Sequence, residues 1–317
     1  MAERVDSVMT TILMKSDAAR AALWKQIFNE RAPEIDFRAW PEIGDADDVT
    51  CLLTWDVPAK IREQFPNLEV VYAIGAGVDH IDPSSIPRDV HLVRMVEPGI
   101  QTSMNEWVLM AVLSAHRQLV GYIDQQRRAV WKEIPVVNAR LRRVGIMGAG
   151  VLGVAALGAL KPFGFQLRMW SRSRKRIAGV AFFAGPDELP AFLSGCDILV
   201  CLLPLTQDTR GKLNASVFAA LPAGAVVINV SRGGNLIQDD LIAALDGGHL
   251  SAAILDVCEP EPLPGDSPLW RHPKILLTPH IATKTQAETA ADIVIANLER
   301  HRRGELMEHL VDRQRGY

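Results

Sequence analysis

Short apolar runs rich in β-branched residues recur along this chain, and between them lie longer stretches in which apolar residues return every three or four positions. The short runs are too continuous for strands with one wet face. They predict buried strands of parallel sheets covered by helices on both sides. The alternation occurs in two series. The first comprises VMTTILM at 8–14, DDVTCLLTW at 47–55, LEVVYAIG at 68–75 and HLVRM at 91–95, with a helix near DAARAALWKQIFNE between the first two. A long helical pattern from about Thr102 to Arg128 then predicts a helix that passes from one domain to the next. The second series contains RRVGIMG, FQLRMW, CDILVCLLP, AVVINV, AAILDVC and ILLTPH, six predicted strands separated by segments of helix or turn length. A Pro-rich loop is expected at 263–273, and a last helix from about Lys284 to Arg303 is expected to stop at Gly304.

Composition supports two domains, because 317 residues with 48% hydrophobic content suffice for two separate cores. A net charge of -3 provides no general attraction to nucleic acid or to anionic membranes, so neither partner is expected. The apolar run within the first fifteen residues is too short for a membrane span or a signal peptide core, which leaves cytoplasmic residence as the expectation. Cysteines at 51, 196, 201 and 258 form no CxxC pair and no ligand-like spacing. Neither a disulfide nor a metal site is therefore expected.

Chemistry enters with VGIMGAGVLG. Gly148, Gly150 and Gly153 form GxGxxG directly after a predicted strand and directly before a helical Ala/Leu run. In that context the first glycine allows a tight turn, the second lets backbone approach a pyrophosphate and the third lets helix pack on strand. Ala149, Val151 and Leu152 complete the candidate dinucleotide turn. In NAD enzymes an acid about 20 residues beyond the first glycine takes the ribose hydroxyls. Here the next strand ends instead in Ser171, Arg172, Ser173 and Arg174, with Lys175 and Arg176 following. Guanidinium groups beside hydroxyls match a 2′-phosphate in charge and geometry, which points to NADP(H).

Catalytic groups are expected at the C-terminal ends of the later strands, where open α/β sheets bind their ligands. Arg232 follows AVVINV, Glu259 and Glu261 follow AAILDV, and His280 follows ILLTP. An arginine holds a carboxylate and polarises a carbonyl. A histidine gives a proton to a developing alkoxide, and a glutamate orients the imidazole and stabilises its charged form. Together they suit reduction of a 2-keto acid.

At these residues the chain resembles the D-isomer-specific 2-hydroxyacid dehydrogenase family over nearly its whole length. The matching motifs are the glycine turn, VSRGG, DVCEPEPLP from Asp256 and TPHIA from Thr278. GAGVLG with WSRSRK, SPLWRHP and the VDRQRGY terminus are similar to the family's NADPH-preferring glyoxylate and hydroxypyruvate reductase A subgroup. The resemblance implies a doubly wound Rossmann cofactor domain, residues 102–283, inserted into a flavodoxin-like substrate domain made of 1–101 and 284–317. It assigns the catalytic glutamate to Glu261 rather than Glu259 and gives Asp256 a contact to the nicotinamide carboxamide. It adds Leu203, Pro204, Val230 and Ser231 to the residues that line the cofactor. In AIGAGVDHID at 73–82, it points to the backbone amides of Ala76 and Gly77 as receivers of the substrate carboxylate, with Trp55 as a wall of that pocket.

A homodimer through the cofactor domain is likewise implied, with Trp131 a candidate to reach the partner's site. Two positions depart from the family pattern: Cys258 stands where phenylalanine is common, and Thr283 where glycine often follows HIA. The alternatives are a dinucleotide-sensing, corepressor-like binding protein and a dehydrogenase of the same fold for another substrate.

Overall fold

The computed structural model of the protein describes residues 10–313. Val8 and Met9 of the first predicted strand and the last four residues of VDRQRGY lie outside them. The chain divides into two compact units. One comprises the residues up to Ile100 together with those from Lys284 onward, and the other is Gln101–Thr283.

The first unit holds a five-stranded parallel sheet of β1 (Thr11–Lys15), β2 (Asp36–Ala39), β3 (Val49–Thr54), β4 (Val70–Ala73) and β5 (His91–Arg94), in the order β2-β1-β3-β4-β5. This is the flavodoxin-like doubly wound order. Helices α1 (Ala18–Arg31) and α2 (Ile61–Gln64) lie between its strands. The second unit begins within α3 (Pro98–His116) and continues with α4 (Leu119–Arg127). Its strands are β6 (Arg143–Met147), β7 (Gln166–Ser171), β8 (Ala181–Ala184), β9 (Ile198–Cys201), β10 (Ala225–Asn229), β11 (Leu250–Leu255) and β12 (Ile275–Leu277). All are parallel, in the order β12-β11-β10-β9-β6-β7-β8. That is the Rossmann order extended by one strand. Its helices are α5 (Val151–Leu160), α6 (Leu189–Leu193), α7 (Ala215–Ala220) and α8 (Gln238–Asp246), while α9 (Ala287–Arg302) returns to the first unit.

Period-2 alternation explains why the strands of the second unit read as continuous apolar runs. Val144, Ile146, Ile198, Val200, Val226 and Ile228 join one core with α3 and α5. Their neighbours Met147, Leu199, Cys201, Val227 and Leu255 join another core on the opposite face, with α6, α7 and α8. Both faces are buried, so no polar alternation survives.

Three expectations are corrected. The first series contains an additional strand, β2, and the second contains seven strands rather than six because β8 is present. Both missed strands are four-residue edge strands. Half of β2 is charged: Arg38 bonds to Asp36 within the strand and to Asp48 beyond it. β8, AFFA, is apolar, but a run of four residues alone does not separate strand from helix. The single helix expected over 102–128 is two helices, with Gln118 left-handed at φ 58° between them. Apolar spacing reports which face is buried, and it passes over a one-residue break.

Helix α3 also starts four residues earlier than its pattern indicates. Pro98 occupies its first position, and the fully buried Glu97 accepts from the amides of Gly99 (2.5 Å) and Ile100 (2.9 Å). The same carboxylate accepts from Gln286 N (3.2 Å) and from the Thr289 hydroxyl at the start of α9. Gly304, left-handed at φ 69°, follows α9 as its pattern implied. Among the described residues, no helix is long and apolar enough to cross a membrane.

Candidate active site

β10, β11 and β12 are parallel neighbours, so their C-terminal tips lie side by side and bring residues 232, 261 and 280 into one region of the second unit. The turns after β10 and β11 touch. A Cβ at Gly233 would lie 1.9 Å from the carbonyl oxygen of Cys258, so no larger residue fits there. The Cys258 amide donates to Glu261 Oε1 at 2.9 Å, and Glu261 Oε2 lies 2.7 Å from Nδ1 of His280. Both side chains are about one-third exposed, at 36% and 35%. Nδ1 faces the carboxylate, and Nε2 of His280 makes no hydrogen bond among the described residues. Of the two candidate carboxylates, Glu261 alone meets the histidine. Glu259 forms a forked pair with Nη1 of Arg210, 2.9 Å to each oxygen.

His280 has φ 53°, a left-handed conformation that is uncommon outside glycine and costs of order 1–3 kcal/mol. Asp256 holds the loop in that shape. It is 2% exposed, and its Oδ1 accepts from the Thr278 hydroxyl (2.5 Å) and the Ile281 amide (2.9 Å), while Oδ2 accepts from the Ala282 amide (2.9 Å). The Asp256 carbonyl receives the His280 amide itself at 2.8 Å. Thr278 Oγ1 also accepts from the indole N–H of the buried Trp107, 3.2 Å away on α3. Asp256 thus turns most of its acceptor capacity toward the histidine loop, a positioning task that sequence reasoning did not assign to it.

A second buried network shapes the turn that carries Arg232. Asn229 accepts from the Ser231 hydroxyl (2.8 Å) and donates to the Arg232 carbonyl (3.0 Å). Asn235 donates to Ser231 Oγ (2.9 Å) and to the Leu203 carbonyl (3.0 Å), which ties Val230–Arg232 to the Leu203–Pro204 turn. The half-buried Arg232 donates through Nη1 to Ser231 O at 2.8 Å. Asn229, Asn235, Thr278 and Trp107 were missed in the sequence. A fully buried asparagine closing the apolar run AVVIN was the available signal, because buried amides require partners. The Cys258 thiol is pushed up to about 11 by burial and by the nearby Glu261 and Asp256 carboxylates, so it stays protonated and is no nucleophile.

The glycine turn has the shape a dinucleotide requires. Gly148 has φ 116°, and a Cβ there would meet Leu202 O at 2.6 Å. A Cβ at Gly153 would meet Gly148 O at 2.0 Å, whereas the space beside Gly150 is open. Gly150 caps α5 without a side-chain bond, which leaves the amides of Val151 and Leu152 at a helix N-terminus suited to an anion. This cradle fits a pyrophosphate. At the tip of β7, Ser171 Oγ donates to Ser173 O (2.7 Å), and Lys175 reaches back to Ala149 O (2.6 Å). Arg174 pairs with Glu188, a carboxylate that the sequence did not place here, and donates to Phe182 O (3.1 Å).

In the first unit, the chain beyond β4 forms an open loop. Ile74 N bonds to Thr54 O, and Gly75 O receives Met95 N. The amides of Ala76 and Gly77 have no acceptor among the described residues. Trp55, directly after β3, is 46% exposed and lies beside Gly75.

The family model for D-isomer specific 2-hydroxyacid dehydrogenase, NAD binding domain, matches residues 109–282. A glyoxylate/hydroxypyruvate reductase A of Yersinia enterocolitica is 40% identical over 303 residues, 94% of this chain and 96% of the relative. A D-isomer specific 2-hydroxyacid dehydrogenase of Xanthobacter autotrophicus Py2, solved with NADPH and MES, superposes with a TM-score of 0.92 at 38% identity, covering 98% of this chain and all of the other. An NADPH-dependent glyoxylate/hydroxypyruvate reductase of Sinorhizobium meliloti, solved with NADP and sulfate, gives 0.89 at 34% identity over 97% of this chain and all of the other. The chain belongs to the D-isomer specific 2-hydroxyacid dehydrogenase family.

Proposed function

From that membership, we propose that the protein reduces small 2-keto acids, glyoxylate and hydroxypyruvate among them, to 2-hydroxy acids with NADPH. The observation that carries the proposal is the 2.7 Å contact between His280 Nδ1 and Glu261, which leaves Nε2 available to substrate. A carboxylate on one ring nitrogen fixes the imidazole's tautomer and orientation. Nε2 then donates a proton to the keto oxygen as negative charge develops on it. Arg232 holds the substrate carboxylate and polarises the carbonyl. The amides of Ala76 and Gly77 are further receivers of that carboxylate, and Trp55 walls the substrate's side chain. When bound, the reduced nicotinamide supplies the hydride to the keto carbon.

Gly148–Gly153 and the amides of Val151 and Leu152 are assigned to the pyrophosphate. Leu203, Pro204, Val230, Ser231 and Asp256 border the remainder of the cofactor in this reading. Ser171, Arg172, Ser173 and Arg174 are assigned to the 2′-phosphate, a role supported by the absence of any acid among residues 171–176. Relatives solved with NADPH or NADP support the same cofactor. We also assign the protein to the cytoplasm, as a homodimer through the cofactor domain. The latter is supported by the exposed apolar side chains of Val130, Trp131, Val136 and Leu141 in that unit.

Loss of NADPH absorbance, and separately of NADH, against glyoxylate, hydroxypyruvate, pyruvate and phenylpyruvate tests the proposal. Turnover of at least one acid with preference for NADPH is expected. Binding of NADPH without oxidation by any of them would overturn it in favour of a dinucleotide sensor.

A further inference from the structure

His80 carries no role in the reaction as described, yet it is built against Trp55. The two rings stack with centroids 4.0 Å apart and planes 10° from parallel. His80 Nε2 also bonds to the Trp55 carbonyl at 2.7 Å, so the imidazole grips both the indole and its backbone. Near the indole's six-membered ring, a Cβ at Gly75 would lie 2.9 Å from Cζ3 and 3.8 Å from Cε3. The indole therefore occupies the space that Gly75 leaves open, and Gly75 directly precedes the unbonded amides of Ala76 and Gly77. A tryptophan that remains 46% exposed gains little from burial to fix its rotamer. The imidazole stack supplies the constraint that the core does not.

We propose that His80 is a positioning residue that sets side-chain selectivity by holding Trp55 as a fixed wall beside the Ala76–Gly77 amides. This rests on the assignment of those amides to the substrate carboxylate. A 2-keto acid anchored there has the indole as its immediate neighbour. Glyoxylate has no substituent to meet the wall, a hydroxymethyl group is small enough to clear it, and a phenyl group is refused. Releasing the indole relaxes that limit.

The test compares His80→Ala, His80→Phe, Trp55→Ala and the double variant His80→Ala/Trp55→Ala. In His80→Ala, kcat/KM for phenylpyruvate relative to glyoxylate should rise about threefold to tenfold, the size of one lost ring stack. His80→Phe should keep the wild-type ratio by restoring the stack. The double variant should match Trp55→Ala, because His80 acts through the indole. A ratio unchanged in His80→Ala, even with both activities lowered in parallel, overturns the proposal. Acrylamide quenching gives a second readout that needs no turnover. The Trp55 share of fluorescence, obtained by difference from Trp55→Phe, should become more quenchable in His80→Ala, and an unchanged value also overturns the proposal. Failure of every keto acid with the wild type would instead defeat the assigned reaction, while the quenching result still decides whether His80 holds Trp55.

Discussion

At the tips of β10, β11 and β12 the side chains proposed to react stand on a buried polar framework, whereas the basic segment after β7 carries its charges on exposed side chains. Asp256, Asn229 and Asn235 are each at most 2% exposed, and their hydrogen bonds determine where Arg232 and His280 start. Residues 172–176 are all exposed, and Arg174 is tied to a half-exposed glutamate. The proposed proton transfer requires an acid held at one atom's distance and angle, a demand consistent with a histidine kept in a left-handed conformation by surrounding bonds. Selecting a phosphate requires charge of the right sign within reach, and it tolerates movement. The first region is rigid by construction and the second adaptable.

Four experiments break or sharpen that contrast. The largest effect is expected at the framework's product: His280→Ala should lower kcat about 100-fold or more, the usual worth of a general acid, and wild-type turnover would remove His280 from the mechanism. Next, Asp256→Asn places an amide donor against donors. Thr278 and Ile281 can keep an oxygen acceptor, but the Ala282 amide then faces N–H, at a cost of about 1–3 kcal/mol. Both a lower melting temperature and a kcat reduced about tenfold are expected. Normal values of both would show that the loop does not depend on the carboxylate.

The adaptable region should respond differently. Replacing Arg172 and Arg174 together by alanine should raise KM for NADPH about tenfold and leave KM for NADH near its starting value, as expected for one charge-assisted contact to a phosphate. Equal effects on both cofactors would mean that the segment supports the fold rather than the 2′-phosphate.

The smallest effect is expected at the opposite ends of the strands. Burial pushes the Asp197 carboxyl up, but the Arg143 guanidinium and amide outweigh it and leave the group below its ordinary value of 3.8. A depressed carboxylate stabilises the fold above its ordinary value, and that contribution is lost as pH falls through the folded value. The melting temperature of Asp197→Asn should therefore lie slightly below wild type at pH 7, with the gap closing toward pH 3. A gap independent of pH would show that the ion pair is not its source.

Much of this molecule was legible before folding was considered. Ten of its parallel strands are announced by apolar runs, because strands covered on both faces admit little else. The glycine turn was legible because its spacing answers to steric demands on single residues, as the contacts of Gly148 and Gly153 show. The edge strands β2 and β8 were not: half of β2 is charged, and the apolar AFFA of β8 is too short a run to tell strand from helix. Glu261 was separated from Glu259 by family spacing alone, and composition would have treated them alike.

The linear chain determined which elements form and which residue types stand at the strand tips, since burial and turn geometry act on neighbours along the backbone. It did not determine that Glu97 joins the starts of α3 and α9, that Asp256 folds the His280 loop around itself, or that His80 braces Trp55. Those contacts join residues from about 25 to nearly 190 positions apart. Hydrogen-bond partners at such separations are chosen by sheet order and register, and these exist only once the chain has packed.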